Sequence, residues 1–196
     1  MKHFYEEIQG WFDWPKLYSE MVSKHNNAKF VEVGVWNGKS TCFLGVEIVN
    51  QNKNISLDTV DNYPFLKYVY PKNKDAPLNY LKNIKPFKFI NHFYKESLEA
   101  SRLYKNESID FIFFDSEHTE EFAEKEIRAW LPKVKIEGYL GGHDYVSFQS
   151  PEYKYAIGVG RAVNKIFKEK IKLYPGQEDN KGLIYGPSWL HKKQRL

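Results

Sequence analysis

Two constellations in this sequence have residue types and spacing that could do chemistry. The first is Glu32-Val-Gly-Val-Trp-Asn-Gly-Lys-Ser-Thr41, in which Gly34 and Gly38 lack the Cβ atoms that would stop a backbone from closing around a ligand. A helix beginning at Ser40 would present unpaired N–H groups at its start, which suits a nucleotide-like ligand. Asp61 lies about twenty residues beyond that turn, where a carboxylate can accept both hydroxyls of a ribose. The second constellation is Asp115 with the adjacent pair His143-Asp144. An imidazole has an ordinary pKa of about 6.5, suited to removing a proton near neutral pH.

These residues need elements to carry them, and the apolar pattern supplies strand ends. Phe30, Val31 and Val33 form a short β-favouring run before the glycines, and Cys42, Phe43, Val46 and Val49 then follow a helical period. Ile55 to Val60 is a second strand ending in Asp61, Phe87 to Phe93 a third running into Glu96-Ser97, and Ile109 to Phe114 a fourth delivering Asp115. Tyr139 to Gly142 is a short fifth strand leading to His143. Thr119 caps a helix with Glu120 and Glu121 in its first turn and Ala123, Ile127, Trp130 and Leu131 on its inner face, and Pro132 ends it. Val159, Ala162, Val163, Ile166 and Phe167 make an amphipathic helix, and Ile171–Tyr174 with Gly182–Trp189 make a terminal hairpin. In open α/β sheets ligands sit outside the carboxyl ends of the strands, where this reading puts Gly34, Asp61, Ser97, Asp115, His143 and Asp144.

Three segments fit the pattern less well. Residues 1–27 form a helical segment, with Leu17, Tyr18, Met21 and Val22 on one stripe after Pro15; it either packs on the sheet or contributes to a lid. Residues 62–86, broken by Pro64, Pro71, Pro77 and Pro86, read as an insertion beside the cleft with one helical piece near Leu78 to Ile84. Residues 146–158, aromatic and interrupted by Pro151, read as a lid loop. There is no repeat or linker, so residues 1–196 are expected to form one domain.

In their order, Glu32–Thr41, Val60-Asp-Asn-Tyr63, Ile109-Asp-Phe-Ile-Phe-Phe-Asp-Ser-Glu-His118 and Leu140-Gly-Gly-His-Asp-Tyr145 resemble the class I S-adenosylmethionine-dependent methyltransferases. They are most similar to the branch of sugar, macrolide and catechol-type O-methyltransferases. The resemblance implies an α/β three-layer sandwich: a Rossmann-like, seven-stranded, mostly parallel sheet with an antiparallel terminal strand. It implies S-adenosylmethionine as cofactor, held by Glu32, Gly34, Gly38, Asp61, Glu96, Ser97 and Asp115. Glu96 and Ser97 would face the adenine, although Ser97 can equally cap a helix from Leu98. Glu32 would anchor the turn near the methionine amino group.

In metal-dependent members of that branch an Asp after the fourth strand and two residues after the fifth hold Mg²⁺, which here implies Asp115, His143 and Asp144 as ligands. Imidazole in place of the usual acid departs from the pattern, being a poor ligand for Mg²⁺ though acceptable to Mn²⁺, Fe²⁺ or Zn²⁺. His143 is accordingly a ligand, a general base or a structural histidine, with Asp144 beside it in the catalytic set. His118 reads as structural, ahead of the helix cap.

Composition narrows the partners. A net charge of +4 is too mild to require nucleic acid, and the basic end His191-Lys-Lys-Gln-Arg195 reads as a solvated tail. An acidic N-terminal stretch and the lack of a long apolar run point to a soluble, cytoplasmic protein without a membrane partner. The single cysteine, Cys42, excludes an internal disulfide and reads as a core residue. The expected activity is O-methylation of a small sugar-like or phenolic molecule, with room for an oligomer. The competing expectation is a non-catalytic module that binds S-adenosylmethionine or another nucleoside for a partner protein.

Overall fold

The computed structural model describes residues 1–63, 74–146, 148–149, 156–176 and 186–195. Its strands are β1 (Asn27–Val33), β2 (Asn54–Val60), β3 (Ile90–Phe93), β4 (Ile109–Phe114), β5 (Val134–Gly142), β6 (Phe148–Gln149), β7 (Ala156–Ile157), β8 (Lys172–Tyr174) and β9 (Ser188–Lys192). The helices are α1 (Pro15–Lys24), α2 (Lys39–Asn50), α3 (Ala76–Ile84), α4 (Ser97–Ser101), α5 (Glu120–Trp130) and α6 (Val159–Phe167). Seven strands make the main sheet in the order β3-β2-β1-β4-β5-β9-β8, and β6 pairs with β7 as a separate ribbon. The β1–β2, β2–β3 and β4–β5 pairs are parallel, whereas β9 runs antiparallel to both β5 and β8. This is the expected mostly parallel α/β sheet. The chain separates into two compact units, Met1–Ser97 and Leu98–Leu196.

In the first unit, Phe30, Val31 and Val33 of β1 are buried, as are Leu17, Tyr18, Met21 and Val22, the stripe of α1. Helix α1 packs on α2, in which Cys42 is buried and its thiol pushed up to about 12 by burial and the charge of Glu32. A thiol held protonated is a poor nucleophile, which leaves Cys42 to packing. Between the parallel strands β2 and β3, the segment read as an insertion supplies α3; residues 64–73 of it lie outside the described residues. The third strand begins at Ile90, not Phe87. Phe87 packs its ring on Gly45 of α2, where a Cβ would stand 3.0 Å from it, so its burial comes from helix packing and mimics strand alternation.

In the second unit, β4 buries Ile109, Phe111, Ile112, Phe113 and Phe114, and it ends one residue before Asp115. The Thr119 hydroxyl accepts the Phe122 N–H at 3.3 Å and caps α5, as expected. Strand β5 is longer than its sequence suggests, starting at Val134 and crossing an irregularity in its pairing with β4. The hairpin of β8 and β9 is present, but β9 runs to Lys192. His191 is therefore buried rather than part of a solvated tail, and its ring stacks on Phe167 with centroids 4.0 Å apart. The described parts of the segment read as a lid are the β6–β7 ribbon and its ends, where Gly158 donates its N–H to the His118 carbonyl at 2.8 Å. Residues 147 and 150–155 within it, and 177–185 before β9, lie outside the described residues. Among the described residues no helix is long and apolar enough to cross a membrane.

Candidate functional site

The glycine turn of the first unit is held in a shape that most residues resist. Gly34 and Gly38 have φ of 82° and 84°, and Trp36 between them sits at 42°. A left-handed bulky residue costs about 1 to 3 kcal/mol and persists only where its surroundings over-determine it. Two contacts do so here. The Trp36 ring stacks on Trp11 at 5.0 Å, and the Asp61 carboxylate accepts the Val35 and Trp36 N–H groups at 2.9 and 3.1 Å. The other oxygen of Asp61 accepts the Tyr63 N–H at 2.6 Å. Asp61, expected to meet a ribose, thus also ties the end of β2 to the turn after β1.

Gly38 is required for a second reason. A Cβ there would lie 2.9 Å from the ring of Tyr80 on α3, whose hydroxyl donates to Thr59 at 2.6 Å. The Thr59 hydroxyl lies 3.0 Å from Nδ1 of His92, and burial lowers the pKa of that imidazole to about 4, keeping it neutral. Asn83 of α3 donates to the Asn37 carbonyl at 2.9 Å, so α3 braces the turn from outside.

Glu32 is 1% exposed. It accepts the Tyr18 hydroxyl at 2.8 Å on one oxygen and the Thr41 hydroxyl at 2.5 Å on the other, so it locks α1 and α2 to β1. The bond to Tyr18, 14 residues before it in the chain, had no signal in the sequence. Glu96 is half-buried and Ser97 is buried as the first residue of α4, one position later than a cap.

The second unit gathers a different kind of cluster. His118 Nε2 stands 3.1 Å from Asp144 Oδ2 and 3.5 Å from Asp115 Oδ1. His143 Nδ1 stands 3.3 Å from Asp144 Oδ2 and 3.8 Å from Asp115 Oδ1. Asp144 adopts φ of 51°, a left-handed bend that Asp tolerates, and the His143 N–H is fixed to the Phe114 carbonyl at 2.9 Å. Burial alone would depress His118, but the carboxylates of Asp115 and Asp144 beside it outweigh that and raise it. Burial would raise Asp144, and the hydrogen bond and charge of His143, with the charge of His118, hold it below the usual carboxylate range instead.

Among the described residues, one donor atom each from Asp115, His118 and Asp144 lie within 4.8 Å of one another, which brings His118 in beside the expected Asp115, His143 and Asp144. Two carboxylates and one imidazole fit a divalent ion that accepts nitrogen, such as Mn²⁺. Sequence reasoning discounted His118 because it precedes a helix cap. The usable signal was its spacing of three from Asp115, which brings both side chains to one turn.

Residues 31–145 match the family described as a methyltransferase domain. Among solved structures, the O-methyltransferase TomG of Streptomyces achromogenes, involved in tomaymycin synthesis and solved with S-adenosylmethionine, is 12% identical, with a TM-score of 0.64 over 91% of this chain and 79% of that one. The O-methyltransferase from Bacillus cereus, in complex with S-adenosylhomocysteine, is 15% identical, with a TM-score of 0.59 over 91% and 80%. An rRNA methylase from Streptococcus thermophilus is 11% identical, with a TM-score of 0.63 over 95% and 100%. No curated protein sequence matches the chain.

Proposed function

The chain belongs to the methyltransferase-domain family and has the class I S-adenosylmethionine-dependent fold, and from that premise we propose that it methylates a hydroxyl of a small sugar-like or phenolic acceptor. The Asp115–His118–Asp144 group carries this reading, because an alcohol must lose a proton as it is methylated and the group supplies acceptors for one. S-adenosylmethionine supplies an electrophilic methyl on a positively charged sulfur. The acceptor oxygen forms its bond to that carbon as the carbon–sulfur bond breaks, and the hydroxyl proton passes to the cluster, leaving S-adenosylhomocysteine and a methyl ether.

His118 stands nearest the two carboxylates and is the first choice for the proton; His143 is the second, with Asp144 supporting either imidazole. A divalent cation would be held by Asp115, His118 and Asp144 and would lower the pKa of a hydroxyl bound to it. On the cofactor side, Gly34, Gly38 and Asp61 form the turn that receives the nucleoside, and Glu96 and Ser97 follow β3 where a base would be met. Glu32 serves that turn from beneath, through α1 and α2.

The test uses methyl-labelled cofactor with catechol, simple phenols and free hexoses, each with EDTA or Mn²⁺. His118→Ala and Asp144→Ala should each lower turnover of an accepted probe by about 100-fold, while the dissociation constant of S-adenosylhomocysteine stays within about twofold. Tight cofactor binding with no transfer to any hydroxyl probe would favour the non-catalytic module.

A further inference from the structure

Taking Gly34, Gly38 and Asp61 as the cofactor turn, as proposed above, we infer that the indole of Trp11 holds Trp36 in the conformation from which that turn receives S-adenosylmethionine. Trp11 is then a positioning residue, and every group concerned belongs to the first unit. Trp36 is the odd member of the turn. Its φ of 42° is one that glycine adopts freely and a bulky side chain resists. A glycine at this position would take the same backbone without that cost, so the shape of the turn depends on what holds the peptide and the indole of residue 36.

Backbone and side chain are held separately. The Trp36 N–H donates to Asp61 at 3.1 Å, which fixes the peptide. The Trp36 ring lies on the Trp11 ring with centroids 5.0 Å apart and planes 20° from parallel, a stacked geometry that attracts beyond the area it buries. That second contact lasts only while residues 9–11 stay beside the turn. The Asn37 side-chain amide donates to the Gln9 carbonyl at 3.2 Å and so ties the segment there.

The segment is also anchored on either side of Trp11. Before it, the ring of His3 stacks on Phe43 of α2 at 4.7 Å, and Asn50 at the end of α2 donates to the Met1 carbonyl at 2.9 Å. After it, Phe12 packs on the same Phe43 at 4.9 Å, and Trp14 is buried. Residues 1–14 therefore run along α2 from its last residue to the turn before its first. Trp11, by contrast, is 52% exposed. A ring so exposed adds little to a core, so the main consequence of its stack falls on the strained residue beside it.

Calorimetry with S-adenosylhomocysteine and urea unfolding, both on the whole chain, test this. Trp11→Ala should weaken binding about fivefold with the urea midpoint nearly unchanged, and Trp11→Phe, which keeps a ring to stack, should restore most of the affinity. An unchanged constant in Trp11→Ala, a fall in the midpoint that accompanies the loss, or no recovery in Trp11→Phe would overturn the inference. A double-mutant cycle separates action through Trp36 from direct contact with the cofactor. In a Trp36→Gly background, where the turn no longer carries strain, Trp11→Ala should change the constant by less than about twofold; the full loss there would also overturn it. In the ligand-free protein, the Val35 and Trp36 amides bonded to Asp61 should exchange hydrogen faster in Trp11→Ala, and equal rates would reject the positioning role. If the unaltered protein binds no S-adenosylhomocysteine, the cofactor reading fails and this role with it; if it binds and the cycle shows no coupling, only the role of Trp11 fails.

Discussion

In the unit Met1–Ser97 the two acids at the glycine turn are saturated: Glu32 receives two buried hydroxyls at 2.8 and 2.5 Å, and Asp61 receives three backbone N–H groups. In the unit Leu98–Leu196 the acids of the cluster face imidazoles at 3.1 to 3.8 Å, in looser geometry and partly open to solvent. The histidines differ in the same sense, since burial keeps His92 neutral while the carboxylates around His118 favour its charge. Saturated polar groups hold backbone in place. Groups that meet only one another repay little in stability and are available to a ligand.

The sharpest way to break this contrast is Glu32→Ala. It strands the hydroxyls of Tyr18 and Thr41 in the core and should cost about 3 kcal/mol, measured by urea unfolding; a loss below 1 kcal/mol would mean the network is not saturating anything. Next is Asp61→Ala, which releases the turn and removes the proposed ribose acceptor together. It should weaken S-adenosylhomocysteine by about 1 to 3 kcal/mol in calorimetry, and an unchanged constant would remove Asp61 from the cofactor site.

A smaller effect is expected from pH. His92 has a folded pKa of about 4, below its unfolded value, so the unfolded chain takes up the proton first as pH falls. Stability is full above the unfolded value of about 6.5 and declines on acidification through pH 4. His92→Gln should flatten that decline in urea midpoints taken from pH 7.5 to 4, and parallel curves would contradict the assignment. The smallest effect is on the other side of the comparison: His118→Ala should change unfolding free energy by less than about 0.5 kcal/mol, despite its predicted effect on turnover. A loss of 2 kcal/mol would make the cluster a structural one.

Periodicity made most of the fold legible, because buried faces of helices and strands impose their own spacing on the sequence. It failed where one face of a strand meets solvent or where a side chain is buried for another reason. Lys135 and Glu137 concealed the first half of β5, Lys192 concealed the end of β9, and Phe87 imitated a strand while packing on Gly45. Contiguous motifs such as Glu32–Thr41 could be named as candidates from sequence alone. Contacts between distant positions were not: Tyr18 with Glu32, Tyr80 with Gly38 and Trp189 with Gly142 depend on how elements dock, which spacing along the chain does not encode. His118 fell between these cases, being close in sequence to Asp115 but described by a local rule about helix starts.

Strand β9 is made after β8 yet lies between β8 and β5. Among the described residues β8 pairs in this sheet only with β9, so during synthesis on the ribosome its place stays open until residues 188–192 have emerged. Because Trp189 travels on that late strand, the His143 bend acquires its indole neighbour only at closure. A nascent chain stalled before residue 188 would carry the acids of the cluster and still lack the wall behind them.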